Sequence, residues 1–340
     1  MTYMADQELA AKYMPDGQNY PYYNSDAHKG DYSGFIKTTG KITDWFDLFL
    51  DLQYRHVNYK TTGINDHFPK GTYTNQILDI DKHYDFFNPK AGINFHWDSQ
   101  RAYASVAVSH REPERNNFTD NGKYPAPTAE KVTDWEVGYE CNGTNWRAGI
   151  NLYDMAYHNQ FVQTGELSDI GENLTTNIKK SYRMGAEITA GYDPFKFLTL
   201  EGNAALSKNR IDDFTEAIDD WDDKDHPAHE HYSKSTLSFS PSTIQYLDNT
   251  ENRDRALPCY SQTDLHFNYT LKLHKLWKPI KHIILGFDLN NLFDRHYAAM
   301  GWVYSAVGKS SGYTLDKRYY QIGFNPMAGF NMMGHLTIRF

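Results

Sequence analysis

Long runs of alternating apolar and polar residues, joined by connections that are alternately short and long, constrain this chain more than any other feature. Phe46, Leu48, Leu50, Leu52 and Tyr54 share one face of an extended strand. Asp47, Asp51, Gln53 and Arg55 share the other, with Phe49 the exception. The pattern returns in Trp146, Ala148, Ile150 and Leu152, in Leu198, Leu200, Ala204 and Leu206, and in Leu265, Phe267, Tyr269 and Leu271. Ile283, Leu285, Phe287 and Leu289 repeat it, and Gly334, Leu336, Ile338 and Phe340 close the chain with it. A period of two is the signature of a strand with unlike faces. Strands are expected near 32–39, 46–59, 83–97, 101–111, 131–141, 145–159, 177–191, 196–209, 233–240, 243–248, 261–272, 281–292 and 332–340. Several exceed the five or six residues usual in soluble sheets.

The connections at 40–45, 98–100, 142–144, 192–195 and the Pro241 turn are short, whereas 60–82, 112–130, 160–176, 210–232 and 293–331 are long and polar. A soluble sandwich has no reason to sort its loops in this way. A transmembrane β-barrel does, with short turns on the periplasmic side and long loops outside. Composition agrees. No apolar run approaches the ~18 residues of a membrane-spanning helix. The 26 tyrosines and a 15% aromatic content suit a barrel with interfacial girdles. A formal net charge of -9 argues against nucleic acid as a partner. Two cysteines, Cys141 and Cys259, exclude a disulfide scaffold and a cysteine zinc site. They fall at opposite ends of the expected wall, far beyond disulfide reach. Asn142-Gly143-Thr144 reads as a hairpin turn rather than a glycosylation site.

If the last strand ends at the periplasmic side, every long connection falls outside, and residues 1–31 form an extracellular loop segment ahead of a barrel over 32–340. The first residues, MTYMADQELAAKYMPDG, lack the basic start and apolar stretch of a signal peptide. That absence and an odd count of about thirteen strands are jointly explained by the C-terminal part of a longer chain, and a missed strand would explain the odd count alone.

Three segments resemble the C-terminal barrel of TonB-dependent outer-membrane receptors. ILGFDLNNLFDRHY (284–297) is similar to the family's penultimate strand running into Asn291-Leu292-Phe293-Asp294. The terminal GHLTIRF ends on an aromatic residue, Phe340, which in outer-membrane barrels belongs to the signal read by the assembly machinery. FFNPKAGINFHWDSQRAYASVAVSHREPERNNFTD (86–120) with PTAEKVTDWEVGYE (127–140) resembles a mid-barrel segment in which an arginine-bearing loop precedes a glutamate-bearing strand. The resemblance implies a 22-stranded barrel in outer-membrane lipid, of which this chain supplies the last thirteen or so strands, with the plug domain and energy-coupling box absent. It also implies TonB-energised import of an extracellular small molecule. A ferric siderophore or other iron chelate is the default cargo, and haem, cobalamin and oligosaccharides are alternatives. The implied protein is no enzyme and holds no resident cofactor. A passive, plugless channel is the competing function.

Three groups of residues invite a chemical role. Asp225-His226-Pro227-Ala228-His229-Glu230-His231 sets three imidazoles beside carboxylates and suits a divalent metal or haem iron. The neighbouring Asp219, Asp220, Asp222 and Asp223 suit a plain solvated loop equally well. Arg111 and Arg115 offer forked donors to an anionic chelate, or pair with nearby glutamates to anchor their loop. The haem-receptor branch carries a histidine downstream of this arginine–proline segment, but here His110 precedes it and none follows before Pro127, which disfavours haem. Trp302 and Tyr304, with Tyr313, Tyr319 and Tyr320, are placed to stack on a flat ligand or to pack on one another. No P-loop, dinucleotide fingerprint, HExxH or nucleophile context is present.

Overall fold

The computed structural model describes residues 23–66, 75–119, 124–167, 173–195, 198–223, 226–236, 245–272 and 282–339. Fourteen strands account for most of them, with one short α-helix, α1 (Arg115–Thr119), and two single turns of 3-10 helix at Arg253–Arg255 and Lys309–Ser311. The strands are β1 (Asn24–Thr43), β2 (Phe46–Ile64), β3 (Ile77–Trp97), β4 (Gln100–Arg111), β5 (Glu130–Asn142), β6 (Trp146–Leu167) and β7 (Asn173–Phe195). There follow β8 (Leu198–Asp220), β9 (Ala228–Ser235), β10 (Leu265–Lys272), β11 (His282–Asn290), β12 (Ala298–Val307), β13 (Tyr319–Pro326) and β14 (Asn331–Arg339). β1 to β8 form an unbroken antiparallel meander, extended by β9 against β8 and by the β12–β13 hairpin. β10, β11 and β14 form a second antiparallel sheet. The large sheet is curved but open.

Register carries one apolar face across the whole meander. Leu52 of β2 pairs with Ile36 and Pro89, Ile93 with Ala104, and Val137 with Leu152. Ile150 pairs with Ile188, and Ile188 with Ala204. In the smaller sheet, Leu265, Phe267, Tyr269 and Leu271 face Leu289, Phe287, Leu285 and Ile283, the alternation read from sequence. The opposite face of the meander carries Asp51, Lys90, Glu136, Asn151, Glu187 and Asn203.

Among the described residues, the apolar face is left exposed. Leu206 is 58% exposed, Val137 56% and Leu152 49%. The buried apolar side chains, among them Val57, Phe86, Val162, Ile178, Ile211 and Phe214, lie instead in the long-loop halves of the strands. An exposed apolar surface this extensive has no stable place in water. It suits a wall that meets lipid at its short-turn end and rises into water at the other. Aromatic side chains mark both limits. Trp45, Trp97, Trp146 and Tyr192 lie by the short turns, while Tyr54, Phe87 and Trp135 stand higher on the same face. Phe46 and Tyr54 are eight residues apart on β2, about 26 Å along the strand. Tilted by ~40°, that gives about 20 Å of height, near the ~25 Å apolar band of an outer-membrane barrel.

Four sequence expectations change. The first strand begins at Asn24, within the segment expected to be loop, and β6 and β7 run on through 160–167 and 173–176 as a tall hairpin. Beyond the exposed apolar band the alternation stops while the ladder of backbone pairs continues. The strand expected at 243–248 reduces to a single bridge, Tyr246 to Ala256, among the described residues. The 293–331 connection contains the β12–β13 hairpin, and Ala306 and Val307 lie parallel to Asp219 and Asp220 of β8.

Asn291 explains the NLFD corner. It adopts a left-handed φ of 50°, which asparagine tolerates. Its buried amide donates to the carbonyls of Arg295 (2.9 Å) and Ala328 (3.1 Å), and its carbonyl accepts from the Arg295 amide at 2.9 Å. The Asp294 carboxylate accepts from the Phe330 amide at 2.8 Å. The two residues therefore clamp both ends of the last long excursion to the top of β11.

Candidate functional site

Charged and aromatic side chains gather at the long-loop end of the curved wall. Two assemblies occupy it, one over β1 and β2 and one over β8 and β9.

The first begins where β4 ends. Glu112 turns toward β1 and β2 rather than into solvent. Its Oε1 accepts from Lys29 Nζ at 2.7 Å and Arg55 Nη2 at 2.9 Å, and its Oε2 accepts from Arg55 Nη1 at 2.8 Å. Arg55 also forks onto Asp31, with Nη2 at 2.6 Å from Oδ2 and Nε at 3.0 Å from Oδ1. Burial pushes the Glu112 carboxyl up, but the bonds from Lys29 and Arg55 outweigh it and hold the group below its ordinary value. Arg111 follows the register of β4 and donates to Glu130 at 3.1 Å, with its guanidinium 5.6 Å from the Phe161 ring centre. Arg115, on α1, is exposed and donates to Ser25 Oγ at 3.2 Å. Farther along α1, Asn117 donates to Thr175 Oγ1 of β7 at 2.9 Å, and Phe118 stacks on Tyr59 of β2 at 5.9 Å.

The second assembly is an ionic knot. Glu216 of β8 is 6% exposed and Arg318, just before β13, is 2% exposed. Arg318 Nη1 donates to Glu216 Oε2 at 2.7 Å, and Nη2 pairs with Glu230 of β9. Tyr232 of β9 donates to Glu216 at 3.1 Å and to Glu230 at 2.8 Å. Burial, then the Glu216 carboxylate, raises the Tyr232 hydroxyl well above its ordinary pKa, so it stays a donor. Arg255 completes the knot, 2.6 Å from Asp248 and 3.8 Å from Glu216, with Tyr320 beneath its guanidinium at 4.5 Å. Four chain segments meet here without any sequence neighbour in common.

An aromatic cluster rises beside the knot. Trp221 meets Tyr313 edge-on at 5.7 Å and Tyr319 at 5.0 Å. Its indole donates to Tyr304 at 3.0 Å, and Tyr304 in turn donates to Asp219. Burial, then the Asp219 bond, raises the Tyr304 hydroxyl. Trp302 lies two residues along the same face of β12, half-exposed, where a Cβ on Gly323 would strike its indole. Sequence reasoning grouped these aromatics in one connection, and the structure brings Tyr304, Tyr313 and Tyr319 together around Trp221.

The histidines do not converge. His226 lies before β9 with Nδ1 3.0 Å from Asp223. His229 and His231 sit two apart on β9, and His231 Nε2 is 3.5 Å from Asp213. Among the described residues, no three histidine, cysteine, aspartate or glutamate side chains come together in a metal-binding arrangement. Asp225 and Phe340 lie outside the described residues.

On the polar face near the short turns, a cavity of about 470 Å³ is lined by Glu140, Asn142, Arg147, Thr189, Glu201 and Asn203, among others. Arg147 is held there by Glu201, and by Asp193 at 3.5 Å. The knot and the Glu112 network were both missed from sequence.

Residues 2–292 match the family described as TonB dependent receptor-like, beta-barrel. The chain belongs to that family. Comparison with curated proteins gave no match. Among solved structures, the ferric-catecholate import receptor Fiu of E. coli K12 is similar at 17% identity and a TM-score of 0.56, over 93% of this chain and 46% of Fiu. The copper transporter OprC is similar at 14% identity and a TM-score of 0.61, over 92% of this chain and 48% of OprC. The siderophore receptor PiuA of Acinetobacter baumannii shares 14% identity at a TM-score of 0.58, over 92% of this chain and 44% of PiuA. At these identities the likeness concerns the fold. The chain spans about half the length of these proteins.

Proposed function

We propose that this chain is wall and extracellular rim of an outer-membrane receptor of a Gram-negative bacterium. In this reading the receptor imports a scarce nutrient, a ferric siderophore or other iron chelate, with energy relayed by the TonB complex through an N-terminal part of the whole protein. The observation that carries the reading is the continuous apolar face over β1 to β8, backed by a polar face, in a chain that matches this family over 2–292. The names of Fiu and PiuA, an import receptor for ferric catecholates and a siderophore receptor, favour iron as cargo. Residues 32–340 are the barrel portion in this account, residues 1–31 belong to the extracellular side, and the Asn24–Asp31 part of β1 stands above the lipid. Outer-membrane lipid covers the apolar face, and the assembly machinery reads the terminal strand and Phe340. The proposed ligand contacts are Arg111 and Arg115 on one side of the mouth and Trp302 and Tyr304 on the other. A transporter makes and breaks no bond in its cargo, so no catalytic residue is assigned.

Deleting the protein in its native host under iron limitation is expected to lower uptake of at least one radiolabelled ferric chelate at least tenfold. Restoring it with His226, His229 and His231 changed to Ala is expected to return uptake to within about twofold, because that segment is read as solvated. A protein that conducts ions in planar bilayers without an energy source, and whose loss leaves chelate uptake intact, would instead be a passive channel. A large loss in the triple histidine variant would make that segment a metal-capture site.

A further inference from the structure

The upper edge of the apolar face slants across the meander. One rung of directly paired residues runs from Leu50 on β2 through Val106, Trp135 and Met184 to Lys208 on β8. On β2 the exposed apolar face continues past this rung to Tyr54, whereas on β8 it stops short of the rung at Leu206. The edge therefore drops by about six residues over six strand steps, roughly 20 Å along the strands against roughly 29 Å across them. That slope, about 35°, matches the roughly 35–45° tilt of strands in an outer-membrane barrel. An edge that slants by the strand tilt is level about the barrel axis, so the residues next beyond it share one height.

The charges beyond that edge differ from one side of the wall to the other. On β2 and β3 they satisfy one another. Asp85 accepts from the Tyr54 hydroxyl at 2.6 Å and lies 2.6 Å from His56 Nδ1. His83 Nδ1 lies 2.6 Å from Asn58, and Lys60 Nζ is 3.9 Å from Asp81. On β5 to β8 the cations stand alone. Lys208 is the next residue after Leu206 on the same face. Lys131, His158 and Lys180 share a rung, four residues beyond the rung of Trp135 and Met184. Lys180, Lys208 and His158 are exposed and Lys131 is half-buried. Among the described residues, none of these three lysines has an ion-pair partner. The carboxylates on this face are Asp154, opposite Trp135 and Met184, and Asp212, opposite Lys180, while Arg210 is taken by Glu251. Lys180 lies within about 15 Å of each of the other two lysines, measured along strands and rungs. Lys208 stands at the edge, and Lys131 and Lys180 about 10 Å higher. That range spans a headgroup layer, which adds about 5–8 Å to each side of a hydrocarbon core.

We infer that Lys131, Lys180 and Lys208 form a docking surface for the phosphorylated headgroup of an outer-leaflet lipid, confined to the β5–β8 side of the wall. Phosphates supply the negative charge that these ammonium groups lack, and the apolar face below takes the acyl chains. The β2–β3 side, whose charges are already paired, has no such demand. The inference rests on the proposed reading that the apolar face meets lipid, and it holds whatever the cargo.

The test uses the whole receptor, purified in detergent and titrated with bisphosphorylated lipid A, with the dephosphorylated form and with inorganic phosphate, bound lipid being counted by native mass spectrometry. The phosphorylated form is expected to bind at least tenfold more tightly than the dephosphorylated one. A lysine near an anionic lipid surface is worth about a factor of five. Changing Lys131, Lys180 and Lys208 together to Gln is therefore expected to weaken the phosphorylated lipid at least tenfold, in a barrel that remains heat-modifiable. Lys60→Gln, on the paired side, is expected to change it less than twofold. Equal binding of the two lipid forms, or unchanged binding in the triple variant, would overturn the headgroup site while leaving the lipid-facing wall in place. Displacement of the lipid by millimolar inorganic phosphate would also overturn it, because the patch would then be a general anion site. Failure of both lipid forms to bind the parent would overturn the site and the lipid-facing reading together.

Discussion

Glu216→Ala is expected to free the β12–β13 hairpin and the 245–256 segment from β8 and β9 while leaving the β1–β8 wall assembled. Glu216 holds two arginines that are 2% and 4% exposed at the side chain. Removing one member of a buried ion pair leaves the partner charge uncompensated and costs about 3–5 kcal/mol. Glu230 still pairs with Arg318 and Asp248 with Arg255, so the lower end, about 3 kcal/mol, is the expected cost. The opening is local, and limited proteolysis reads it when opening is fast relative to cleavage. Cleavage after Lys317 should therefore rise roughly a hundredfold, since about 1.4 kcal/mol is a factor of ten. A paired apolar replacement, Glu216→Leu with Arg318→Met, is expected to recover much of the protection, because buried ion pairs often exchange for apolar pairs at little cost. Unchanged cleavage in Glu216→Ala would mean that the knot is not what fixes the rim.

Ile188→Arg and Thr189→Arg should have opposite outcomes although the residues are adjacent. Ile188 lies in the apolar face, paired with Ile150 and Ala204 and 44% exposed to whatever covers that face. A charge at the mid-height of a lipid-facing strand costs about 2–4 kcal/mol. Ile188→Arg is therefore expected to lower the folded, heat-modifiable fraction in the membrane at least tenfold. Thr189 points into the polar cavity that Glu140 and Glu201 line. An arginine there meets acidic partners and water, and assembly is expected to stay within about twofold of the parent. Equal tolerance of both changes would contradict a lipid-facing assignment for β7.

What could be read from the sequence follows the same division between lipid and water. In the proposed reading lipid covers one face, so the side chains must alternate there, and the lower parts of β2, β5 to β8, β10, β11 and β14 were legible for that reason. Above the lipid that demand lapses. The tall β6–β7 hairpin continues through Gln160, Gln163 and Thr175 with no apolar period to announce it. The β12–β13 hairpin did carry a signal, Met300, Trp302 and Tyr304 alternating with Gly301, Val303 and Ser305, but its aromatics also suit a loop that packs on itself. The ionic knot was out of reach for another reason. Glu216 and Arg318 are 102 residues apart, and no local pattern marks a pair brought together only by tertiary folding. Arg111 and Glu130 were closer to hand, because an arginine ending one strand and a glutamate opening the next become neighbours once the strands pair.

The central claim is that one face of this wall meets lipid and the other meets water. Single cysteines at each position from 184 to 191 of β7, in a background with Cys141 and Cys259 changed to Ser, test it most directly. In native outer membranes, positions 184, 186, 188 and 190 should react with a lipid-soluble maleimide and resist a water-soluble one, and positions 185, 187, 189 and 191 should do the reverse. Strict alternation over the eight positions is the result predicted here. Uniform reaction with the water-soluble reagent along the whole strand would mean that no lipid covers the apolar face, and would contradict the account.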